Sequence, residues 1–216
     1  MEAVIFDLDG TIVFSHPTHF AAYEKLFAEF GIQWSFKEFE RVFVGTGAPT
    51  IIQNILTRNG IRNFDLPTLV QKKRDIFNEI LMHKKLEVVP GFFEFLAEVN
   101  RRGLKKIIAS GSNRTNIRAM LENIGVSQEF PEVVSGEDVS RPKPSPDIFL
   151  AAAEKIGTSP NQCLVIEDTD HGVRGALAAG MKCIALETTL DAQTLKRSGA
   201  NEVVKNYTEI NWKNYP

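Results

Sequence analysis

Cysteine is scarce in this chain, and so are long hydrophobic runs. The two cysteines among the 216 residues, Cys163 and Cys183, each open a short apolar run, where a free thiol behaves as a small hydrophobe. We therefore expect buried reduced thiols rather than a disulfide or a metal pair. No apolar stretch is long enough to cross a membrane and no cleavable leader precedes the first strand, so we expect a cytoplasmic protein with no membrane partner.

An excess of charge of either sign is also missing. The chain has 25 Lys+Arg against 27 Asp+Glu, which gives a net charge of -2. There is no basic footprint for nucleic acid, and we expect no such partner. Any anionic substrate must therefore be held by local groups. With 43% hydrophobic residues the chain can bury a substantial core, and we expect a monomer.

The most informative segment that is present begins at Ala3. An unbroken apolar run, Ala3-Val4-Ile5-Phe6, leads into Asp7-Leu8-Asp9-Gly10-Thr11. An apolar run without alternation is typical of a strand buried on both faces of a parallel sheet. Charge at the carboxyl end of such a strand lies where open α/β sheets bind their ligands.

After residue 90 the sequence alternates between short apolar runs and helical patterns. The helical patterns start at Phe92, Ile117, Phe149 and Val173. Further strands are predicted at 106–109, 133–134, 164–166, 183–186 and 203–204. Together with the first strand this βαβ series predicts an α/β fold, a doubly wound parallel (Rossmann-like) sheet with right-handed crossovers.

Residues 14–83 do not follow that rhythm. Helical patterns succeed one another there without a strand, and the stretch holds nine of the 15 Phe. We expect an inserted α-helical cap domain, with helices around Phe20–Phe30, after a capping box of Ser35 and Glu38, and around Leu69–Ile80. The aromatics are interpreted as its core. The catalytic core would then be 1–13 plus 84–216, and the cap, leaving beside the aspartates, can act as a lid.

Polar residues at three predicted strand ends should meet at one edge of the sheet. The first strand delivers Asp7 and Asp9, a second delivers Ser110-Gly111-Ser112-Asn113, and a third delivers Glu167-Asp168-Thr169. A proline-stiffened loop adds Lys143. Carboxylates at one edge repel unless a cation neutralises them, and ligands that are all oxygen suit Mg²⁺.

A phosphorylated small molecule is the substrate that this set predicts. Ser110, the amides around Gly111 and the Lys143 ammonium can take phosphate oxygens beside Mg²⁺. Asp7 can attack phosphorus to form an aspartyl-phosphate, while Asp9 exchanges protons with the leaving oxygen and then with water. The spacing of two residues turns both carboxylates the same way on an extended strand.

These residues resemble the motifs of the haloacid dehalogenase superfamily, in the branch with β-phosphoglucomutase-like and phosphoglycolate-phosphatase-like members. Asp7-Leu8-Asp9-Gly10-Thr11 resembles the first motif and Ser110 the second. Lys143, in Pro-Lys-Pro-Ser-Pro-Asp, resembles the third, and Glu167-Asp168 the fourth. The resemblance covers nearly the whole chain.

The resemblance implies a role for each matching residue. Asp7 would be the nucleophile and a metal ligand. Asp9 would be the general acid and base, and would also touch Mg²⁺ through its backbone carbonyl. Asp168 would be the remaining carboxylate ligand. Glu167 and Thr11 would contact these residues without binding the metal or the substrate themselves. Asp9 also speaks against carbon–halogen hydrolysis, because the dehalogenases of the superfamily lack this second aspartate.

The insertion bears on the choice between phosphatase and phosphomutase. Mutase-like relatives carry cap cations that hold a second phosphate, and the matching positions here are Val44 and Ala48. We therefore expect a Mg²⁺-dependent phosphatase for a small phosphomonoester such as a sugar phosphate or phosphoglycolate. A β-phosphoglucomutase-like mutase is the alternative, and a phosphoacceptor signalling module is less favoured because its aspartate lies on a middle strand.

Three further residues are candidates for substrate contacts. His19 falls where relatives often have a histidine near the cap hinge, and Lys73 resembles a cap lysine that can contact substrate. A run of three cations, Lys72-Lys73-Arg74, can instead be a solvated helix face, and that reading is favoured. Asn113 follows the second strand and lies near the phosphate-binding serine in sequence.

Overall fold

The computed structural model describes residues 1–43 and 46–215, apart from the side chains of residues 40–43. This part of the chain forms two compact units. One consists of Met1–Phe14 and the chain from Glu87 onward, and the other of Ser15–Leu86. Among the described residues no helix is both long and apolar enough to cross a membrane. The predicted division at 14–83 and the role of that insertion as a lid stay predictions.

The first unit is built on a six-stranded sheet in which every neighbouring pair is parallel. The strands are β1 (Ala3–Phe6), β2 (Lys105–Ser110), β3 (Val133–Ser135), β4 (Cys163–Glu167), β5 (Lys182–Leu186) and β6 (Glu202–Val204). Their spatial order is β3-β2-β1-β4-β5-β6, so the winding reverses at β1. This order confirms the predicted α/β fold class, and the reversal at β1 is where such sheets bind ligands.

The helices are numbered here along the whole chain. They are α1 (His16–Ala28), α2 (Phe36–Phe43), α3 (Ala48–Arg58), α4 (Leu66–His83), α5 (Phe92–Arg101), α6 (Arg114–Asn123), α7 (Asp147–Lys155), α8 (Asp170–Ala178) and α9 (Ala192–Arg197). The four helical patterns predicted after residue 90 correspond to α5 to α8. Two helices, α3 and α9, were not predicted.

The sheet is buried because its central strands are apolar on both faces. All four residues of β1 have no exposed surface, and Ile5 pairs with Ile107 on one side and Val165 on the other. On one face, Phe6 meets the rings of Phe92, Phe95 and Phe130 edge-on, with centroids 5.7 to 6.1 Å apart. Cys163 and Cys183 are buried free thiols, as predicted. A rigid core thus holds the strand ends in place.

The described residues of the second unit form helices and the loops between them, and they have their own aromatic core. Its buried residues include Tyr23, Phe27 and Phe39, with Phe20 and Trp34 packed against them. The capping box predicted before α2 is present: the Glu38 amide donates to Ser35 Oγ at 3.3 Å, and the Ser35 amide donates to Glu38 Oε2 at 3.2 Å. The interpretation as core is confirmed for these aromatics, but it is wrong for Phe36, which is 38% exposed at the start of α2.

Candidate active site

The ends of β1, β2 and β4 bring the predicted polar residues to one edge of the sheet. These three strands are neighbours, with β1 in the middle, so Asp7 follows the central strand while Ser110 and Glu167 end the strands beside it. Asp7, Ser110, Glu167 and Asp168 are all buried. Four charged or polar side chains in a buried setting need specific partners.

Lys143 reaches this edge from the loop that precedes α7. Its Nζ lies 2.6 Å from Asp7 Oδ1, 2.6 Å from Glu167 Oε1 and 3.2 Å from the Ala109 carbonyl. Burial lowers the pKa of Lys143, but the carboxylates of Asp7 and Glu167 outweigh it, so the pKa lies above its ordinary value. Lys143 is thus a fixed ammonium in contact with the predicted nucleophile.

The Asp7 carboxylate lies in a strongly negative environment. Burial raises its pKa to about 7; Lys143 opposes this shift, while the charges of Glu167 and Asp9 add to it. One ammonium therefore does not compensate the carboxylates gathered here. An additional positive charge beside Asp7 would favour its ionised form, which is the form that attacks.

Asp168 is held against the turn that follows β1. Thr11 Oγ1 donates to Asp168 Oδ1 at 3.0 Å, while Asp168 Oδ2 is buried and accepts no well-formed hydrogen bond in the described part of the chain. Gly10 has a φ of 77°, and a Cβ there would lie 2.0 Å from Asp168 Oδ2. Burial, followed by the charges of Glu167 and Asp7, raises the pKa of Asp168 well above its ordinary value, although the nearby Thr189 hydroxyl opposes this shift. A buried, unsatisfied carboxylate oxygen is suited to a cation.

Glu167 is engaged through both of its carboxylate oxygens. Oε1 accepts from Lys143, and Oε2 accepts from the amides of Asp168 and Thr169 at 2.9 and 3.0 Å and from the Thr169 hydroxyl at 2.9 Å. A Cβ on Gly172 would lie 1.8 Å from the Glu167 carboxyl carbon, so α8 begins close against this side chain. Glu167 thus joins Lys143 to the start of α8.

Asp9 contacts two serines at the end of β2. Ser112 Oγ donates to Asp9 Oδ2 at 2.7 Å, and Ser110 Oγ donates to the same oxygen at 3.3 Å. The Ser112 amide donates to Ser110 Oγ at 3.1 Å. The sequence predicted Ser110 and left Ser112 without a role, although a second hydroxyl two residues further along the same turn was a usable signal.

Gly111 is exposed in the turn between these serines, and the backbone at Gly136 packs closely against this turn. A Cβ on Gly136 would lie 2.5 Å from the Gly111 carbonyl oxygen, and the Gly136 amide donates to the Ser112 carbonyl at 3.1 Å. Asn113, a predicted substrate contact, also caps α6, since its Oδ1 accepts from the Asn116 amide at 3.0 Å. Its side-chain oxygen is therefore already engaged.

The predicted cap contacts belong to the helical unit. His19 Nδ1 and Lys73 Nζ lie 2.7 Å apart, and both residues are buried. The Lys73 ammonium also lies 4.7 and 4.9 Å from the ring centroids of Tyr23 and Phe77. The solvated-face interpretation is wrong for Lys73, because it turns inward between aromatic rings, where its stem is buried. Val44 lies outside the described residues, and Ala48 begins α3.

A group of three or more His, Cys, Asp or Glu side chains arranged around a metal position does not occur in the described ranges. Mg²⁺ does not require such a cage, since it is commonly held by one or two carboxylates, waters and a substrate phosphate. The buried Asp168 Oδ2, without a well-formed hydrogen bond in the part of the chain described, and the negative surroundings of Asp7 fit this ion.

Comparison with known proteins places this geometry in context. Haloacid dehalogenase-like hydrolases match the chain over residues 1–180. The fructose-1-phosphate phosphatase YqaB of Escherichia coli is 32% identical over 183 residues, which are 84% of this chain and 94% of that protein. The chloroplastic protein SUPPRESSOR OF QUENCHING 1 of Arabidopsis thaliana is 33% identical over 94% of this chain, which spans only 19% of that relative.

Solved structures show the same architecture. The β-phosphoglucomutase of Clostridium difficile superposes with a TM-score of 0.86 at 25% identity, over 99% of this chain and 95% of that one. The similarity extends across both the sheet-based unit and the helical unit.

Proposed function

The chain belongs to the family of haloacid dehalogenase-like hydrolases, in the branch with β-phosphoglucomutase-like members, and from this we propose that it is a Mg²⁺-dependent phosphatase for small phosphomonoesters. The observation that carries the proposal is the 2.6 Å contact between Lys143 Nζ and Asp7 Oδ1, beside Asp9 and Ser110. The contact orients one carboxylate and supplies a cation where phosphate would bind.

The first half of the reaction transfers the phosphoryl group to Asp7. An oxygen of Asp7 forms a bond to phosphorus while the bond to the leaving oxygen breaks, and Asp9 gives its proton to that oxygen. Lys143 and the Ser110 hydroxyl stabilise the charge on the transferring oxygens. In the second half, water attacks phosphorus and Asp9 takes its proton, while the bond between phosphorus and the Asp7 oxygen breaks, which releases inorganic phosphate and restores the Asp7 carboxylate.

The carboxylates of Asp7 and Asp168 and the backbone carbonyl of Asp9 would hold Mg²⁺ in this proposal. The ion would neutralise charge on the phosphoryl oxygens and draw them toward the nucleophile. Thr11 keeps Asp168 oriented through its 3.0 Å bond to Oδ1. Glu167 does not bind the ion in this proposal; it fixes the ammonium of Lys143 through the 2.6 Å contact of its Oε1.

Sugar phosphates are the substrate class that we place first. The support is the phosphatase from Escherichia coli, which is named for fructose 1-phosphate and matches along 94% of its length. The solved β-phosphoglucomutase favours phosphosugar isomerisation as a second candidate. Residues Val44 and Ala48 argue against it, because a mutase has to anchor a bisphosphate and neither side chain is a cation.

The test is phosphate release from a panel of sugar phosphates, phosphoglycolate and nucleoside monophosphates, with and without chelator. We expect release that chelation abolishes and Mg²⁺ restores. Asp7→Asn should lower turnover by at least about 10⁴-fold, roughly 5 to 6 kcal/mol in the barrier. Asp75→Asn, a change at an exposed aspartate of α4, is the matched control.

Two outcomes would contradict the proposal. Isomerised sugar without phosphate release, dependent on a bisphosphate activator, would favour the mutase. Wild-type turnover in Asp7→Asn would remove Asp7 as the nucleophile.

A further inference from the structure

Asp9 is the residue whose orientation the proposed reaction depends on most, because it must meet the leaving oxygen and then water. Its Oδ2 accepts two hydroxyl bonds, from Ser112 at 2.7 Å and from Ser110 at 3.3 Å. Hydroxyl-to-oxygen hydrogen bonds have lengths of roughly 2.5 to 3.0 Å. The Ser112 bond therefore lies within that range and the Ser110 bond lies outside it.

The two serines also differ in whether their hydroxyl groups can still donate to Asp9 once phosphate is bound. A serine hydroxyl has a single proton to donate. Ser110 Oγ already accepts from the Ser112 amide, so its proton can go either to Asp9 or to a phosphate oxygen. When Ser110 turns to phosphate, the Ser112 hydroxyl keeps its bond to Asp9.

The position of Ser112 is fixed by its own backbone. Its amide donates to Ser110, and its carbonyl accepts from the Gly136 amide at 3.1 Å. The absent side chain at Gly136 lets that strand end approach the Gly111 carbonyl, where a Cβ would lie at 2.5 Å. Because hydrogen bonds to its amide and its carbonyl fix the backbone of Ser112, its hydroxyl can hold the Asp9 carboxylate in place.

We propose that Ser112 is a positioning residue that orients the Asp9 carboxylate toward the leaving group while Ser110 serves the phosphate. This inference rests on the proposed function, since it assigns Ser112 a part in the same reaction. Ser112 acts through Asp9 and does not itself touch the reacting atoms.

The experiment compares two substrates whose leaving groups differ in their need for a proton. A nitrophenolate leaves without one, whereas the alkoxide of a sugar phosphate requires the proton of Asp9. The rate of leaving-group release in the first turnover is measured for both, in wild type, Ser112→Ala, Ser112→Thr and Ser110→Ala. Ser140→Ala, at an exposed serine outside the site, is the control.

We expect Ser112→Ala to lower release from the sugar phosphate by about tenfold or more and from the aryl phosphate by less than about threefold, with KM unchanged. Ser112→Thr keeps the hydroxyl and should restore both rates. Ser110→Ala should raise KM for both substrates.

Other results would overturn the assignment. An equal loss on both substrates with a raised KM would make Ser112 a phosphate contact. Unchanged rates in Ser112→Ala would show that the hydrogen bond from Ser112 to Asp9 does not contribute to the reaction. A Ser112→Thr variant as slow as Ser112→Ala would show a purely steric effect. The readout is a ratio of two rates within an active enzyme. It is therefore separate from the test of the proposed function, which fails if the wild type releases no phosphate from any substrate of the panel.

Discussion

Replacing Lys143 by methionine removes the ammonium that joins Asp7 to Glu167 while keeping a side chain of similar length. The ammonium lies 2.6 Å from each carboxylate, and the side chains of Lys143, Asp7 and Glu167 are only 12%, 9% and 1% exposed. Removing one partner from a buried ion pair costs about 3 to 5 kcal/mol, because the remaining charge stays buried and uncompensated. We expect Lys143→Met to lower the free energy of unfolding by about that amount at neutral pH.

The pH dependence of this loss follows from Asp7. Burial raises the pKa of Asp7 from 3.8 to about 7 in the folded protein. The free energy of unfolding therefore falls as pH rises between these two values, and this loss of stability disappears as pH falls. Without Lys143 the folded-state pKa rises further. The part of the difference in unfolding free energy between wild type and Lys143→Met that is due to Asp7 should therefore be small below pH 7 and grow as pH rises above 7.

Urea unfolding at several pH values, in chelator, measures this prediction. Lys182→Met, a change at an exposed lysine that begins β5, should alter stability by no more than about 0.5 kcal/mol. Adding Glu167→Gln to Lys143→Met should recover part of the loss, since one buried charge is then removed. A loss below about 1 kcal/mol that does not depend on pH would show that the Lys143 ammonium does not compensate these buried carboxylates.

Two further predictions concern the turn after β1 and the metal. Gly10→Ala places a Cβ 2.0 Å from Asp168 Oδ2 and should abolish phosphate release. Gly103→Ala is the control, because φ is 65° there but nothing lies within 4 Å, so it should lose only about 1 to 3 kcal/mol of stability to backbone strain and keep its activity. Equal activity in the two variants would contradict the close fit at Gly10. Mg²⁺ at about 100 times its dissociation constant should stabilise the wild type by about 2.7 kcal/mol in thermal unfolding and Asp168→Asn by much less; a wild-type melting temperature that does not respond to Mg²⁺ would remove Asp168 from the metal site.

The sheet and its polar edge could be predicted from the sequence because they follow a local rule. Apolar runs without alternation predicted the strands, and residues that end parallel strands meet at one edge, which brings Asp7, Ser110 and Glu167 together. The capping box of Ser35 and Glu38 is local in the same way. Such features require no knowledge of distant packing.

Other features depend on contacts that no spacing rule reveals. The burial of Lys73 results from its place between Tyr23 and Phe77, while its neighbours in sequence suggested an exposed charged face. Ser112 offered a signal as the second hydroxyl of its turn, but its bond to Asp9 forms only because β2 lies beside β1. Helix α3, by contrast, was missed although it carries a helix-start signal, because Gly47 lies at its N-cap and Pro49 in its first turn.

In the proposed reaction Asp7 carries the phosphoryl group during turnover, and this covalent intermediate can be trapped. Rapid quenching with substrate in excess, followed by borohydride reduction, converts an aspartyl-phosphate to homoserine, which peptide mass spectrometry locates in the chain. We expect homoserine at position 7, dependent on substrate and absent from Asp7→Asn. Modification at another residue, or a wild-type chain that turns over substrate with an aspartyl-phosphate at no position, would contradict it.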